Sequence, residues 1–199
     1  MTHAKGSDTI DLLLTAIKTT YEGNYDLAGF APWPTETMAQ PKTPVAIPAT
    51  KLVRTFDLQG TIETQPVVDA IRAVSDDVHW TQTYSEAEVG RDFLNRYGYF
   101  EVLGPTGHFH SDSLRCFVAY WGARLDYGWH NHAAEELYFS LAGEGLFHAN
   151  GEDDVTLKAG ATKYHHSLQN HAMKTHDAPY LCLVFWRGDG ITQLPKMTP

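Results

Sequence analysis

Residues 127–143, which read YGWHNHAAEELYFSLAG, constrain the fold of this chain more than any other segment. If the segment runs as one extended strand, successive side chains point to opposite faces, so the even-numbered side chains share a face. That face carries His130, His132, Glu136 and Tyr138. The opposite face carries Leu137, Phe139 and Leu141. A strand that is apolar on one face and rich in histidine and carboxylate on the other is typical of a β-barrel wall with a functional interior.

The polar face of this segment has the composition of a metal site. Two imidazoles and one carboxylate are ligand types that hold a divalent transition metal ion, and they do not select among Zn, Fe, Mn, Co and Ni. The competing interpretation is an exposed polar edge with scattered histidines. A solvated edge has no need of an apolar opposite face, so the sequence favours one divalent ion bound inside a barrel.

Composition places the chain among ordinary globular proteins. It has 199 residues, 43% of them hydrophobic, which suits one domain with an extension. A formal net charge of -9 without a Lys or Arg cluster disfavours nucleic acid or an anionic membrane as partner. The N-terminus lacks the basic and apolar regions of a signal peptide, and Cys116 and Cys182 are interpreted as buried thiols. We therefore expect a cytoplasmic protein.

The first half of the chain is predicted to be mainly helical. Apolar residues at helical spacing predict a helix over residues 7–21, and Pro66 suits the first turn of a second helix. Ser85 and Glu88 form a capping-box pattern at the start of a third helix, which we expect to end at Gly98.

Prolines also shape the first half. Five of them between residues 30 and 48 exclude regular structure for most of that segment and predict a long connection. The connection either wraps the surface or closes over the barrel as a lid. We expect residues 1–105 to form a helical extension packed on the barrel.

The second half has the pattern of short antiparallel strands separated by turns. Asn150-Gly151 is a typical hairpin pair. Strands of this length close most readily into a sandwich or a small barrel, so residues 106–199 are predicted to form one barrel and, with the extension, one structural unit. The predicted strands cover residues 116–121, 136–142, 145–149, 154–157 and 181–186.

Two motifs of this half resemble those of the cupin superfamily. The first cupin motif, His-x-His-x3-Glu-x6-Gly, is matched by His130, His132, Glu136 and Gly143. The second is looser: Gly160 and His171 match, whereas the motif's proline, glycine and asparagine are replaced by His166, Leu168 and Thr175. Within the superfamily, the chain is similar to the lyases that cleave dimethylsulfoniopropionate (DMSP), in particular the DddQ type. This likeness covers residues 115–190 and is carried by AEELYF, by HSLQNHAMKT, and by Tyr127, Tyr138 and Trp186.

The resemblance implies a mainly β protein, with a single antiparallel, jelly-roll-like cupin barrel and a helical N-terminal extension. It implies a carbon–sulfur lyase that converts DMSP, a small zwitterionic substrate, into acrylate and dimethyl sulfide. Tyr138 is then the base, and Tyr127 orients the substrate or acts as base in its place. The implied metal ligands are His132, Glu136 and His171, with His130 and Tyr138 as further members of the set.

Other aromatic and histidine residues have less specific patterns. A sulfonium is held by ring faces, so Trp186, Tyr120 and Trp129 are candidate substrate-binding residues, although core packing explains each of them equally well. His165 and His166 are interpreted as surface-loop histidines. His148 is interpreted as a hydrogen-bonded partner.

Two alternative functions are compatible with the same residues. Two histidines and one glutamate with open coordination positions also suit a cupin dioxygenase that uses ferrous iron. A small-molecule sensor ranks last, because the chain shows no DNA-binding helix-turn-helix. The sequence makes no prediction of the oligomeric state.

Overall fold

The computed structural model describes the backbone of residues 3–198 and the side chains of residues 9–198. The helices of this part of the chain all precede its long strands. They are α1 (His3–Gly23), α2 (Tyr25–Phe30), α3 (Pro48–Thr55), α4 (Gln65–Val74), α5 (Glu86–Val89) and α6 (Arg91–Arg96).

Most of the strands follow the helices. They are β1 (Met38–Ala39), β2 (Tyr97–Leu103), β3 (Phe109–His110), β4 (Arg115–Trp121), β5 (Asp126–Asn131), β6 (Glu135–Ala149), β7 (Val155–Lys158), β8 (Thr162–His165), β9 (His171–Lys174), β10 (Tyr180–Arg187) and β11 (Lys196–Met197). The path through the sheet runs β1-β3-β2-β4-β10-β6-β9-β5-β11, and β7 and β8 each pair with β6 beside it.

Helix α1 is fixed by apolar side chains at helical spacing. Leu13, Ile17 and Tyr21 are all at most 1% exposed. The helix packs against α4, where Val67 and Ile71 are fully buried. Each such burial contributes about 1.5–3 kcal/mol, so this pair forms a stable layer. The predicted helices over residues 7–21 and near Pro66 are confirmed.

The predicted third helix is helical over Glu86–Val89 and Arg91–Arg96, but it is interrupted at Gly90 and its predicted end at Gly98 is wrong. Its capping box forms, with the Ser85 N–H and hydroxyl donating to the Glu88 carboxylate over 2.8 and 2.7 Å. The helix then breaks at Gly90, whose φ is 79°, and α6 ends where β2 begins. Gly98 lies in β2, where an added Cβ would come within 2.1 Å of Ile47 Cδ1. Close packing in a sheet, rather than a helix end, explains this glycine.

Strand β6 joins the two parts of the sheet. Its first half pairs antiparallel with β10 and β8, and its second half pairs with β9 and β7. The change of partners occurs at Gly143, which has a φ of 77°. A Cβ at this position would lie 1.9 Å from the Pro179 carbonyl oxygen, so only glycine fits.

Apolar clusters cover both faces of the central strands. On β4, Val118 and Tyr120 pack in the cluster beneath the helices, whereas Phe117 and Trp121 belong to the interior cluster. All seven residues of β4 are therefore buried. The helices stabilise the outer face of the sheet and leave the inner face for the site.

The predicted division at residue 105 remains a prediction, and the sheet extends across it. Strand β2 lies on the N-terminal side of the division and pairs with β4, from Tyr97 opposite Trp121 onward. The proline-rich segment contributes β1 to the same sheet, and the Trp33 ring lies 5.2 Å from that of Tyr21. In the described part of the chain, no helix has the length and apolar character needed to cross a membrane.

Candidate metal centre and active site

Three side chains from separate strands and turns meet inside the sheet. His132 follows β5, Glu136 lies near the start of β6, and His171 opens β9. The Glu136 Oε2 atom is 3.4 Å from His132 Nε2 and 3.1 Å from His171 Nε2. None of the three residues is more than 4% exposed. One ligand atom from each lies within 4.8 Å of the others, so the group can hold a metal ion.

Backbone carbonyls orient both imidazoles. His132 Nδ1 lies 3.0 Å from the Ala134 carbonyl oxygen, and His171 Nδ1 lies 2.8 Å from that of Gln169. A carbonyl only accepts hydrogen bonds, so Nδ1 carries the proton and Nε2 presents its lone pair to the centre in the neutral ring. This orientation by an outer hydrogen bond is usual for metal-ligating histidines.

The unpaired atoms of this group fit a cation. His132 Nε2, His171 Nε2 and Glu136 Oε2 are buried and make no hydrogen bond. Burial raises the pKa of the Glu136 carboxyl, but the neighbouring His132 and His171 outweigh burial and hold it well below its usual range. Burial likewise lowers the pKa of His132, and the Glu136 carboxylate reverses that to a net rise. A carboxylate this deeply buried requires a positive partner, and a divalent ion held by the three residues would supply one.

Trp186 fixes the other oxygen of the carboxylate. Its indole N–H donates to Glu136 Oε1 over 2.7 Å. The same indole stacks on the His132 ring, with 4.3 Å between centroids and 29° between planes. Trp186 therefore positions two of the three candidate ligands.

His130 lies behind the triad. Its ring is 4.1 Å from the His171 ring and 6.5 Å from the His132 ring, and its Nδ1 is 2.8 Å from the Gly128 carbonyl oxygen. Burial, followed by the proximity of His171, lowers the pKa of His130 well below its usual value. In this position the His130 ring packs against the His171 ring. The group of three convergent ligand atoms does not include His130.

Both predicted catalytic tyrosines line the cavity beside the triad. Tyr138 is 3% exposed, and its ring lies 6.4 Å from that of Trp121. The Tyr127 hydroxyl is 2.7 Å from the Tyr84 hydroxyl. Tyr127 faces inward, like His130, because β5 contains a register shift between these two residues that interrupts simple alternation.

Two predicted substrate-binding residues lie elsewhere. Tyr120 packs beneath the helices, with its ring 6.1 Å from that of Phe56. Its position on β4 directs it to the face opposite Trp121. Trp129 is 39% exposed on the outer side of β5, and its ring lies 6.3 Å from the His148 ring. Of the three candidates, only Trp186 lines the cavity.

The cavity has an aromatic wall that sequence reasoning missed. It holds about 480 Å³ of empty space, including its open mouth, and Glu136 lies in its wall. Leu194 and Pro195 also line it, and none of its lining residues comes from the proline-rich segment 30–48. The missed lining residues include Tyr97, Tyr99, Arg115, Phe117 and Trp121.

The structure also places His165 differently from the sequence prediction. The prediction of a surface position is wrong, because His165 is fully buried and pairs in register with Glu136. The His165 ring stacks on the His171 ring, with 4.1 Å between centroids and 12° between planes. Neither ring nitrogen of His165 has a hydrogen bond, and burial lowers the pKa of this imidazole to about 3. The neighbouring His166 is exposed, as predicted. The predicted partner role of His148 is confirmed by a 2.7 Å contact with Asp154.

Comparison with known proteins identifies the family. The sequence model of the dimethylsulfoniopropionate lyases matches residues 31–182. This chain belongs to the dimethylsulfoniopropionate lyase family. It is 39% identical to the dimethylsulfoniopropionate lyase DddQ of Ruegeria pomeroyi over 163 residues, which are 82% of this chain and 81% of that protein.

Two solved structures of DMSP lyases match nearly the whole chain. The DddQ lyase from Ruegeria pomeroyi DSS-3 has a TM-score of 0.92 and 36% identity, with 96% of each chain covered. A chain from the crystal structures of the DMSP lyases RdDddP and RnDddQII has a TM-score of 0.95 and 41% identity, covering 98% of this chain and 100% of that one. The family resemblance and the mainly β cupin fold with N-terminal helices are confirmed, although the sheet path is open between β1 and β11.

Proposed function

We propose that this protein is a metal-dependent carbon–sulfur lyase that cleaves DMSP into acrylate and dimethyl sulfide. The observation that carries the proposal is the convergence of three unpaired, buried atoms from His132, Glu136 and His171 beside an aromatic cavity. Family membership supports DMSP as the substrate, because the matched DddQ proteins are named for that activity. The cytoplasmic location stays a prediction from the sequence.

The ion and its ligands form the first part of the mechanism. His132, Glu136 and His171 would hold the ion, and Tyr138 is the proposed additional ligand. When bound, a divalent ion supplies positive charge that attracts the substrate carboxylate, acidifies the neighbouring C–H bond and lowers the pKa of a nearby phenol. The ligand types fit Zn, Fe, Mn, Co or Ni.

Tyr138 is the proposed base. Burial, followed by the charge of the Glu136 carboxylate, raises the pKa of this phenol well above 10, so the protein keeps it protonated until positive charge enters the site. Once its own proton has been released to solvent, the Tyr138 oxygen would take the proton from the carbon next to the substrate carboxylate. That electron pair becomes the double bond of acrylate, the carbon–sulfur bond breaks toward sulfur, and dimethyl sulfide leaves uncharged.

Tyr127 is the proposed orienting residue. The contact between its hydroxyl and that of Tyr84 and the 4.1 Å separation of its ring from His130 fix it at the side of the cavity. Burial raises its pKa well above 10, which favours a role as a neutral hydrogen-bond donor. In this position it can hold the substrate while Tyr138 removes the proton.

A product assay tests the proposal directly. Purified protein is incubated with DMSP as isolated, after chelation, and after reloading with each of the five metals, while headspace dimethyl sulfide and dissolved acrylate are measured. We expect equimolar products that disappear on chelation and return with metal. The absence of both products from every metal-loaded sample would refute the lyase function.

The same protein preparation distinguishes the lyase from the alternative function, a dioxygenase. The triad of two histidines and one carboxylate also suits a dioxygenase that uses ferrous iron. Oxygen uptake by the iron-loaded protein with a thiol or diketone substrate, without dimethyl sulfide from DMSP, would favour the dioxygenase. Elemental analysis of the protein as purified identifies the metal that it retains.

A further inference from the structure

The wall of the cavity is a continuous series of aromatic rings. The Trp186 and Phe117 centroids are 5.3 Å apart, and those of Phe117 and Tyr99 are 5.5 Å apart. The series continues from Tyr99 to Tyr97 at 6.2 Å and from Tyr97 to Trp121 at 5.5 Å. It begins at the indole that binds Glu136 and ends beside the Tyr138 ring, 6.4 Å from Trp121. The rings thus extend from the candidate metal ligands to the candidate base.

One end of this wall already carries a cation. The Arg115 guanidinium carbon lies 4.8 Å from the Phe117 centroid and 5.7 Å from the Trp186 ring. Its charge is balanced by Glu101, which accepts bonds of 2.7 and 3.1 Å from it, and both side chains are 8% exposed. The guanidinium therefore already occupies the cation position over these rings, and Glu101 holds it there, so a second cation finds no free ring face at this end.

The other end of the wall differs, since its ring faces carry no cation from the described part of the chain. Among the described residues, no arginine or lysine is seen over the Tyr97 or Trp121 ring. Both residues are at most 4% exposed, and ring faces attract a cation most strongly where water is excluded. Trp121 also lies beside both tyrosines of the proposed mechanism, with 5.6 Å between its ring and that of Tyr127.

The shape of the substrate matches this division. A molecule with its carboxylate at the triad and its reacting carbon at Tyr138 extends its charged sulfur further along the wall, toward Trp121. We propose that Tyr97 and Trp121 form an onium subsite, so that the site selects small zwitterions with a carboxylate at one end and a methylated sulfonium or quaternary ammonium at the other. This inference rests on the proposed function, because that function places the carboxylate at the triad.

A pair of sulfur-free ligands of the same shape tests the subsite. The first is 3-(trimethylammonio)propionate, which carries the cation, and the second is 4,4-dimethylpentanoate, in which an uncharged tert-butyl group replaces it. Calorimetry on the zinc-loaded protein measures both affinities. We expect the charged ligand to bind about 30-fold more tightly, the ratio that a desolvated cation over an aromatic ring provides. Equal affinities in the wild-type protein would overturn the proposal, whatever any variant shows.

Three variants locate the preference within the wall. Trp121→Leu is expected to reduce the ratio of the two affinities to about 3-fold or less, and Trp121→Phe is expected to retain most of it. Phe100→Leu is the matched control, because Phe100 directly follows Tyr99 on β2 but packs beneath the helices. An unchanged ratio in Trp121→Leu, or an equal loss in Phe100→Leu, would contradict the assignment.

The result is independent of the lyase assay. If the wild-type protein binds both ligands equally and still releases dimethyl sulfide from DMSP, the onium subsite is refuted and the lyase function is retained. A strong preference for the charged ligand without any release from DMSP would support the subsite and refute the proposed reaction.

Discussion

Replacing Trp186 with phenylalanine isolates what the indole N–H contributes to the candidate metal centre. The substitution retains an aromatic ring against His132 and removes the 2.7 Å hydrogen bond to Glu136 Oε1. A hydrogen bond to a charged group contributes about 1.5–3 kcal/mol, so the metal-free protein should lose that much stability. The carboxylate also loses its fixed direction, and loss of such an outer partner typically lowers metal affinity about 10- to 100-fold.

Trp80→Phe is a matched control for this prediction. The Trp80 indole N–H donates to the Ser75 carbonyl over 2.8 Å, and the residue is 1% exposed in the cluster beneath the helices. Both variants lose one buried indole hydrogen bond and a similar volume. We therefore expect both variants to lose stability, Trp80→Phe somewhat less because its lost bond is to a neutral carbonyl, and we expect a loss of metal affinity only in Trp186→Phe.

Two measurements on the same samples decide the outcome. Urea unfolding of the metal-free proteins gives the change in stability, and competition with a chelator of known zinc affinity gives the metal dissociation constant. If Trp186→Phe binds zinc within 3-fold of the wild-type protein, or no more weakly than Trp80→Phe does, the positioning role of Trp186 is wrong.

Three further predictions follow from other parts of the molecule. Tyr138→Phe should lower the rate of dimethyl sulfide release at least about 100-fold while zinc still binds, and full activity would exclude Tyr138 as the base. Glu101→Gln should destabilise the fold by about 3–5 kcal/mol in urea unfolding, because it leaves Arg115 charged and unpaired in a site where both side chains are 8% exposed. Burial lowers the pKa of His108 to about 4, so below pH 6.5 the unfolded chain binds a proton at this residue that the folded protein does not bind. The free energy of unfolding should therefore fall by up to about 3 kcal/mol between pH 6.5 and pH 4. In urea unfolding at the same pH values, His108→Asn should lose less stability than the wild-type protein between about pH 6.5 and 4. A variant whose stability depends on pH as the wild-type protein's does would contradict this role of His108.

Local pattern was sufficient for some elements because the information lies within a few residues. The apolar spacing of Leu13, Ile17 and Tyr21 predicted α1, and all three are buried. Helical pattern was not sufficient for residues 97–98, where short-range preference extended the predicted helix beyond α6 into β2. There the pairing of Tyr97 with Trp121 outweighs local preference, and a cross-strand partner cannot be identified from one segment alone.

The position of each aromatic residue depended on packing that no segment encodes. Alternation along β4 separates Tyr120 from Trp121, but both faces of the strand are buried, so their apolar character is the same on either side. Only the placement of the helices assigns Tyr120 to the outer cluster and Trp121 to the cavity. In the same way, His165 became part of the interior through its register opposite Glu136.

The sequence by itself determined the ligand types of the candidate centre and the family to which the chain belongs. The cupin-like spacing identifies His132 and Glu136 as candidate ligands, but the predicted single strand is two, β5 and β6, and His132 lies in the turn between them. That turn, and not the period of two within one strand, brings both side chains to one face. The tertiary structure decided which distant groups complete that face: the imidazole of His171, the indole of Trp186 and the rings of Tyr97 and Trp121. Their convergence depends on strand order and register, which are set by the burial of both faces of the whole sheet and not by any one strand.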